Sequence, residues 1–372
     1  MAFEPHELDQ PVPLSNPAVS KGAGSGFTYR TYLFAMRDFI LRNIEQLTAA
    51  TSSLGCSGTI DEVDIISEKH GSDYHPARIV VHIAPGLCSF VLNVAITRRG
   101  KERLRRDFDL MGRLGRKGRS DYLPEAYFFG EQTISDDPGE YARLFMFLGQ
   151  WFEKYHEFHP ALDERTGIRK LLLWDLQKGY RFLASHEEAE VFRQAAMILT
   201  SLYDTETFEE VFPWHHASGD FVVSLSGGAV DVKLITVRQY VPRAVFQDSS
   251  PGNQFLALSL FFAGLTVRAR LDRLDGVGNI VWAEDLCLDA TIRGFFDGLK
   301  RKAASSARDK QLTAEFQDRF RALSLQELAE LFRLVVDSYD EASPDTPVIH
   351  ENLVDHVMQV YARLEDFGAY QD

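Results

Sequence analysis

Two imidazoles and a carboxylate stand close together in one polar stretch of the sequence, at His215, His216 and Asp220. Histidine titrates near neutral pH and serves as a general base or a metal ligand, and a carboxylate can hold Mg²⁺. The stretch leads into a hairpin pattern whose turn is Gly227-Gly228 and whose second strand starts near Asp231. His215 is therefore a candidate general base or metal ligand, and Asp220 is a candidate ligand for a cation.

The same side chains also have a structural interpretation. Asp220 is placed where a carboxylate would cap the turn into the hairpin by accepting backbone N–H groups. The two histidines would then pack beside Trp214 and hydrogen-bond the loop. The residue types leave both the chemical and the structural role open.

A second metal hypothesis joins this loop to another pair of histidines. His156 and His159 lie three residues apart in a segment predicted to be helical, so they would share one face of the helix. Together with His215, His216 and Asp220 they would form a His/Asp centre, which suits hydrolysis by a metal-bound water. The minor alternative is therefore a metal-dependent hydrolase.

The elements that must position these residues change in type along the chain. Residues 29–47 and 101–114 have apolar residues at helical spacing. Short β-branched runs between turn residues predict five strands, at 60–67, 78–83, 89–96, 122–130 and 141–148. A small hairpin is expected within 171–183. Further helices are predicted at 149–158, 187–203, 253–272, 283–303, 312–321, 325–339 (with Ser324 as its N-cap) and 351–367.

These elements predict an α+β, two-lobed chain. Residues 1–26, rich in Pro, Ser, Gly and Ala, are interpreted as a flexible arm. Residues 27–148 form an N-terminal helix and a β-rich N-lobe, and residues 149–372 form a helical C-lobe that carries the 213–240 loop and hairpin. A ligand would be expected between two such lobes.

Composition narrows the classes of partner. The net charge of −14 argues against nucleic acid or an anionic membrane as the principal partner. Ten basic residues between Arg98 and Arg119 are the local exception, interpreted as a solvated helix and turn. The three cysteines are far apart and typical of a reducing compartment. We expect a cytoplasmic protein whose partner is a small-molecule ligand or another protein; the oligomeric state is not predicted.

The order of the elements resembles the aminoglycoside phosphotransferase and choline kinase branch of the protein-kinase-like superfamily, over residues 61–240. The segment Phe90-Val91-Leu92-Asn93-Val94 is similar to that family's third strand, and Arg105-Arg106-Asp107-Phe108 to the helix that follows it. Residues 123–130 and 144–151 are similar to its fourth and fifth strands and hinge. Residues 215–223 are similar to its Asp-x-His-Pro-x-Asn loop.

The resemblance implies binding of ATP and Mg²⁺, but the positions that would do this have changed. Asn93 stands where a Lys grips the nucleotide phosphates, and Asp107 where a Glu orients that Lys. His215 takes the place of the catalytic Asp, and Asp220 that of a metal-binding Asn. Asn93 and Asp107 are accordingly the candidate nucleotide-binding residues.

One further metal ligand of the family is missing. The Asp that should end the next strand falls near Ile235 or Thr236. Phosphoryl transfer depends on neutralisation of the phosphate charge by a lysine and by bound metal. This chain lacks the lysine and one of the carboxylates that would hold the metal. The sequence therefore favours a ligand- or nucleotide-binding pseudokinase with impaired phosphotransfer. The alternative is an active small-molecule phosphotransferase in which His215 is the base and Asp220 and Asp231 hold magnesium, so whether the chain is an enzyme stays open.

Overall fold

The computed structural model describes residues 7–13, 24–68, 71, 73–116, 120–135, 141–175, 178–215, 219–246 and 248–364. The chain divides into two compact units, Met1–Glu153 and Lys154–Asp372. Each unit contains both helices and antiparallel strands, so the chain is α+β.

Unit 1 is built on one five-stranded sheet with helices on both faces. Its strands are β1 (Pro11–Pro13), β2 (Gly24–Thr28), β3 (Ile60–Ser67), β4 (His75–Ile83), β5 (Gly86–Ala95), β6 (Ala126–Ile134) and β7 (Ala142–Gln150). Its helices are α1 (Tyr29–Arg42), α2 (Ile44–Ser53) and α3 (Arg98–Leu114). The predicted helix over 29–47 is thus two helices that meet at Asn43.

The sheet has the order β3-β4-β5-β7-β6, with every pair antiparallel. Alternation of side chains along the strands gives the sheet two apolar faces. Phe90 and Leu92 belong to the core shared with α1 and α2, whereas Ala95 and Phe147 pack with α3. The five predicted strands and the helix between the third and the fourth are therefore present.

The segment before α1 differs from the predicted flexible arm where it is described. Strand β1 pairs with β2 across a shifted register. Val12 has no exposed surface and lies in the core of unit 1. Backbone N–H groups of Tyr29 and Arg30 also donate to Gln10 and Leu8, and the high Pro, Ser and Gly content of residues 1–26 gave no sign of these contacts.

Unit 2 combines small sheets with six helices in its described residues. Its strands are β8 (Glu157–Asp163), β9 (Ile168–Asp175), β10 (Gly179–Phe182), β11 (Glu209–Val211), β12 (Phe221–Ser226), β13 (Ala229–Leu234), β14 (Tyr240–Pro242), β15 (Leu271–Arg273) and β16 (Ile280–Trp282). Its helices are α4 (Ser185–Leu202), α5 (Pro251–Ala269), α6 (Asp285–Ser305), α7 (Ala307–Arg321), α8 (Leu325–Val336) and α9 (Asp345–Ala362).

The predicted helix over 149–158 is wrong. Strand β7 continues to Gln150, and β8 begins at Glu157 and pairs with β9 from Glu157 to Asp163. Pro160 disfavours helical backbone at the residue before it, so the local sequence opposes a helix that continues into this strand. The apolar residues before Pro160 fit helical spacing, and this misled the prediction.

The later helices were predicted to within a few residues at most ends. Helix α4 packs along α6 at a distance that only glycine permits, since a Cβ at Gly294 would come 2.0 Å from the carbonyl oxygen of Arg193. Ser324 is the N-cap of α8, as predicted, and the structure adds a capping box with Glu327. No helix within the described ranges has both the length and the apolar character needed to cross a membrane.

Candidate functional site

The loop that carries His215 and Asp220 is held at its base by two strands of unit 2. Strand β11 precedes the loop and pairs with β14, which follows the hairpin, so that Val211 lies opposite Tyr240. The loop then enters the predicted hairpin, in which Phe221 of β12 faces Leu234 of β13. His216 lies outside the described residues.

Asp220 is an ion-paired, buried carboxylate. Its exposed fraction is 1%. The Arg238 guanidinium donates to it through Nε (3.1 Å) and Nη2 (2.8 Å), and the backbone N–H of His215 donates at 3.0 Å. A bidentate guanidinium with a backbone N–H satisfies most of the lone pairs of a carboxylate. In this arrangement Asp220 holds the loop to residue 238 through an arginine that the sequence did not indicate, and it accepts one backbone N–H of the loop.

Asp231 lies in a different environment. Its side chain is 51% exposed, accepts a hydrogen bond from the Tyr155 hydroxyl at 2.5 Å and pairs with Lys233 at 3.4 Å. Burial, followed by the contact with Asp231, raises the pKa of Tyr155. Across the hairpin, Asp231 lies opposite Ser224. Ser224 is four residues from Asp220 along the chain, and four residues of a strand span about 13 Å. The structure does not bring these two predicted magnesium ligands together.

His215 is contacted by an arginine from another element. Arg268, on α5, is 3% exposed and lies 2.7 Å from Nδ1 of the His215 ring. Its Nε donates to the carbonyl oxygen of Trp214 at 2.9 Å, and Nη1 is ion-paired with Asp345. The same Nη2 atom also contacts Nε2 of the ring. A guanidinium can only donate, so a ring nitrogen in this contact must accept, and the imidazole of the candidate base is next to a buried cation.

The two predicted nucleotide-binding residues lie in unit 1, on the side of the sheet that α3 covers. Asn93 of β5 pairs with Phe147, which packs with α3. Asp107 of α3 is fully buried, accepts from the Tyr74 hydroxyl at 3.3 Å and lies 3.8 Å from Nε of Arg103. Asp107 therefore contacts Arg103 of its own helix and Tyr74, which precedes β4, and position 93 supplies an amide where the resemblance implies a cation.

The second pair of histidines does not share a helical face. His159 lies in β8 and His156 directly precedes this strand in extended backbone, where residues three apart point to opposite sides. His156 forms a backbone bridge with Val223 and its Nε2 lies 3.5 Å from Asp175, whereas His159 is buried with its ring 4.2 Å from that of Trp174. Across the ranges that the structure describes, no three His, Cys, Asp or Glu side chains are grouped to hold a metal.

Sequence reasoning missed Arg238 and Asp345; it interpreted Arg268 as part of a salt-bridge network at a helix end but did not connect it with this loop. Arg238 and Arg268 are 18 and 53 residues from the groups they bind, and such spacing leaves no periodic signal. One clue was available: Arg268 is a charged residue at the end of an otherwise apolar helix. A charge in such a place needs a buried partner.

A buried glutamate on β11 supports a prediction on pH. Glu210 is 8% exposed and lies 3.7 Å from Nε of Arg243. Burial raises the pKa of Glu210 from 4.5 to about 7, although Arg243 opposes the rise. Because the folded pKa is above the unfolded one, the contribution of Glu210 to stability is fully present below pH 4.5 and is lost as the pH rises through 7. The loss amounts to about 3 kcal/mol at most.

Glu210→Gln mimics the protonated acid and does not titrate. We therefore expect its free energy of unfolding, relative to that of the wild type, to increase as the pH is raised from 5 to 8. Urea unfolding at both pH values measures this. Glu341→Gln is the exposed control and should follow the wild type at both. A difference between wild type and Glu210→Gln that is independent of pH would contradict the assignment.

Comparison with known proteins gives no family. No protein-family model matches the chain, and no curated protein is significantly similar to it in sequence.

Two cavities lie in unit 2, away from the loop that carries His215 and Asp220. The first has a volume of ≈ 240 Å³, and Phe208 and Val245 are among the residues that line it. The second has a volume of ≈ 210 Å³, and Arg270 and Trp282 are among its lining residues.

Proposed function

We propose that this chain is a divergent kinase-like protein that binds a ligand or nucleotide but has impaired phosphotransfer, a pseudokinase. The observation that carries the proposal is the ion pair between Asp220 and Arg238. The carboxylate at the family's metal position is buried and neutralised by a guanidinium. A cation site built on it would have to displace that guanidinium.

The order of elements supports the kinase-like part of the proposal. Unit 1 has three strands, a helix and two further strands, with the last strand inserted next to the third. Unit 2 has a helix, a loop held by β11 and β14, and the β12–β13 hairpin. These parts of the succession agree with the resemblance, whereas the sheet β8–β10 stands before α4 in place of the predicted helix; fold alone does not supply a reaction.

The side chains support the impaired chemistry. Phosphoryl transfer needs positive charge around the phosphates, from a lysine and from bound metal. Asn93 provides no charge, and Thr236 provides no carboxylate after β13. His215, the candidate base, is in contact with Arg268. These changes affect binding of the metal, orientation of the phosphates and removal of the proton.

The proposal is tested by incubating the full chain with radiolabelled ATP, Mg²⁺ and small-molecule acceptors such as aminoglycosides and choline. We expect no phosphoryl transfer above the protein-free blank. Transfer that depends on Mg²⁺ and is lost in His215→Ala would establish the alternative, an active phosphotransferase.

A further inference from the structure

Helix α3 carries the strongest local concentration of positive charge in this acidic chain. Between Arg98 and Arg116 there are eight Lys or Arg residues and three Asp or Glu residues, a local net charge of +5, whereas the whole chain has −14. Arg98 and Arg99 stand in the first turn of the helix, which contains no acidic residue. Cations there oppose the helix dipole, although Arg98, Arg103 and Arg105 pair within the helix with Glu102, Asp107 and Asp109.

Two of these cations lie over aromatic rings of the neighbouring hairpin. The Arg105 guanidinium is 4.6 Å from the centre of the Phe129 ring, and Lys101 Nζ is 5.9 Å from that of Phe145. The two rings meet edge to face at 5.6 Å, and both are half-buried. Lys101, Arg105, Phe129 and Phe145 thus form a continuous patch, which we call the basic–aromatic surface.

Two carboxylates lie at the edge of this surface. Asp109 is 3.5 Å from Nε of Arg105, and Glu131 of β6 is 3.4 Å from Arg143 of β7. The pKa of Lys101 is lowered, mainly by burial and further by Arg143, while Glu131 acts in the opposite direction. Arg106, on the exposed side of α3, has no ion-pair partner within the described residues. The patch therefore offers both positive charge and apolar area.

We propose that the basic–aromatic surface binds an acidic segment of a partner protein. Carboxylates of the segment would pair with Lys101, Arg105 and Arg143, and an apolar side chain would cover Phe129 and Phe145. Aromatic residues and arginines are the groups that contribute most to protein interfaces. The proposal concerns unit 1 alone and does not depend on the kinase-like function.

Electrostatics favour a short protein segment over a long single-stranded nucleic acid. A long polyanion would meet the acidic remainder of the chain, whose net charge is −14. A short segment would not, because charges farther than about 8 Å are largely screened at physiological ionic strength.

The test is fluorescence anisotropy of the full chain with a fluorescein-labelled peptide of glutamates that contains one central tryptophan. We expect salt-sensitive binding that Arg105→Glu weakens about fivefold or more, because reversing a charge at an interface replaces attraction by repulsion. Arg37→Glu is a matched control. Arg37 is 54% exposed against 55% for Arg105, lies over the Phe34 ring at 4.7 Å and pairs with Asp38.

Both variants change the total charge equally and should melt at similar temperatures. Retention of peptide binding in Arg37→Glu and its loss in Arg105→Glu supports the proposal. Equal weakening in the two variants, absence of binding to the wild type, or tighter binding of a single-stranded oligonucleotide of the same charge would overturn it.

Discussion

Replacing Asp220 by alanine is expected to lower the free energy of unfolding of unit 2 by about 3–5 kcal/mol. The substitution leaves the Arg238 guanidinium without its bidentate partner and the His215 N–H without its acceptor. An uncompensated charge of this kind costs more than the salt bridge itself contributes. Urea unfolding of the wild type and the variant, followed by circular dichroism, gives the difference.

Asp231→Ala is the matched control, since it removes the other predicted metal ligand from the same hairpin. Its carboxylate is 51% exposed, and exposed pairs contribute about 0–1 kcal/mol. Equal effects of the two substitutions would contradict the structural role assigned to Asp220. A loss of stability in Asp220→Ala that appears only when magnesium is present would contradict it as well.

Replacing Arg268 by methionine is the second substitution with a large expected effect, again about 3–5 kcal/mol. Methionine keeps apolar volume but leaves Asp345, 6% exposed, without its cation and the carbonyl oxygen of Trp214 without a donor. The loop would also lose its contact between His215 and α5. The measurement is the same urea titration at neutral pH.

A double-mutant cycle separates the ion pair from general loss of packing. Arg268→Met with Asp345→Leu removes both charges, so much of the loss should be recovered, with a coupling energy of about 2 kcal/mol. Arg333→Met on the exposed face of α8 is the control and should change stability by less than about 0.5 kcal/mol. Additive effects of the two single substitutions would show that the pair is not coupled.

The sequence was informative where structure depends on local pattern. The strand at 60–67 was predicted at its observed bounds, and the hairpin after Asp220 follows from alternation around Gly227-Gly228. The segment 149–158 failed because its apolar spacing suits a helix, whereas β8 is fixed by pairing with β9. Pairing with a later strand is a non-local property that spacing does not report.

The candidate site shows the same division. His215 and Asp220 were identified from their types and their place before a hairpin. What they do is decided by Arg268 and Arg238, which reach them from other elements. A carboxylate that holds a metal and one that accepts a guanidinium look alike in sequence. Only the packing of α5 and the segment after β13 distinguishes them.

The most direct measurement is a thermal-shift titration of the full chain with ATP, in Mg²⁺ and in EDTA. A ligand that binds only the folded state stabilises it by about 2.7 kcal/mol at a hundredfold excess over its dissociation constant. If Asp220 is held by Arg238 and no second carboxylate joins it, the ATP-induced shift should be the same with and without the metal. A shift that appears only with Mg²⁺, and that Asp220→Ala abolishes, would contradict the account and make Asp220 a metal ligand.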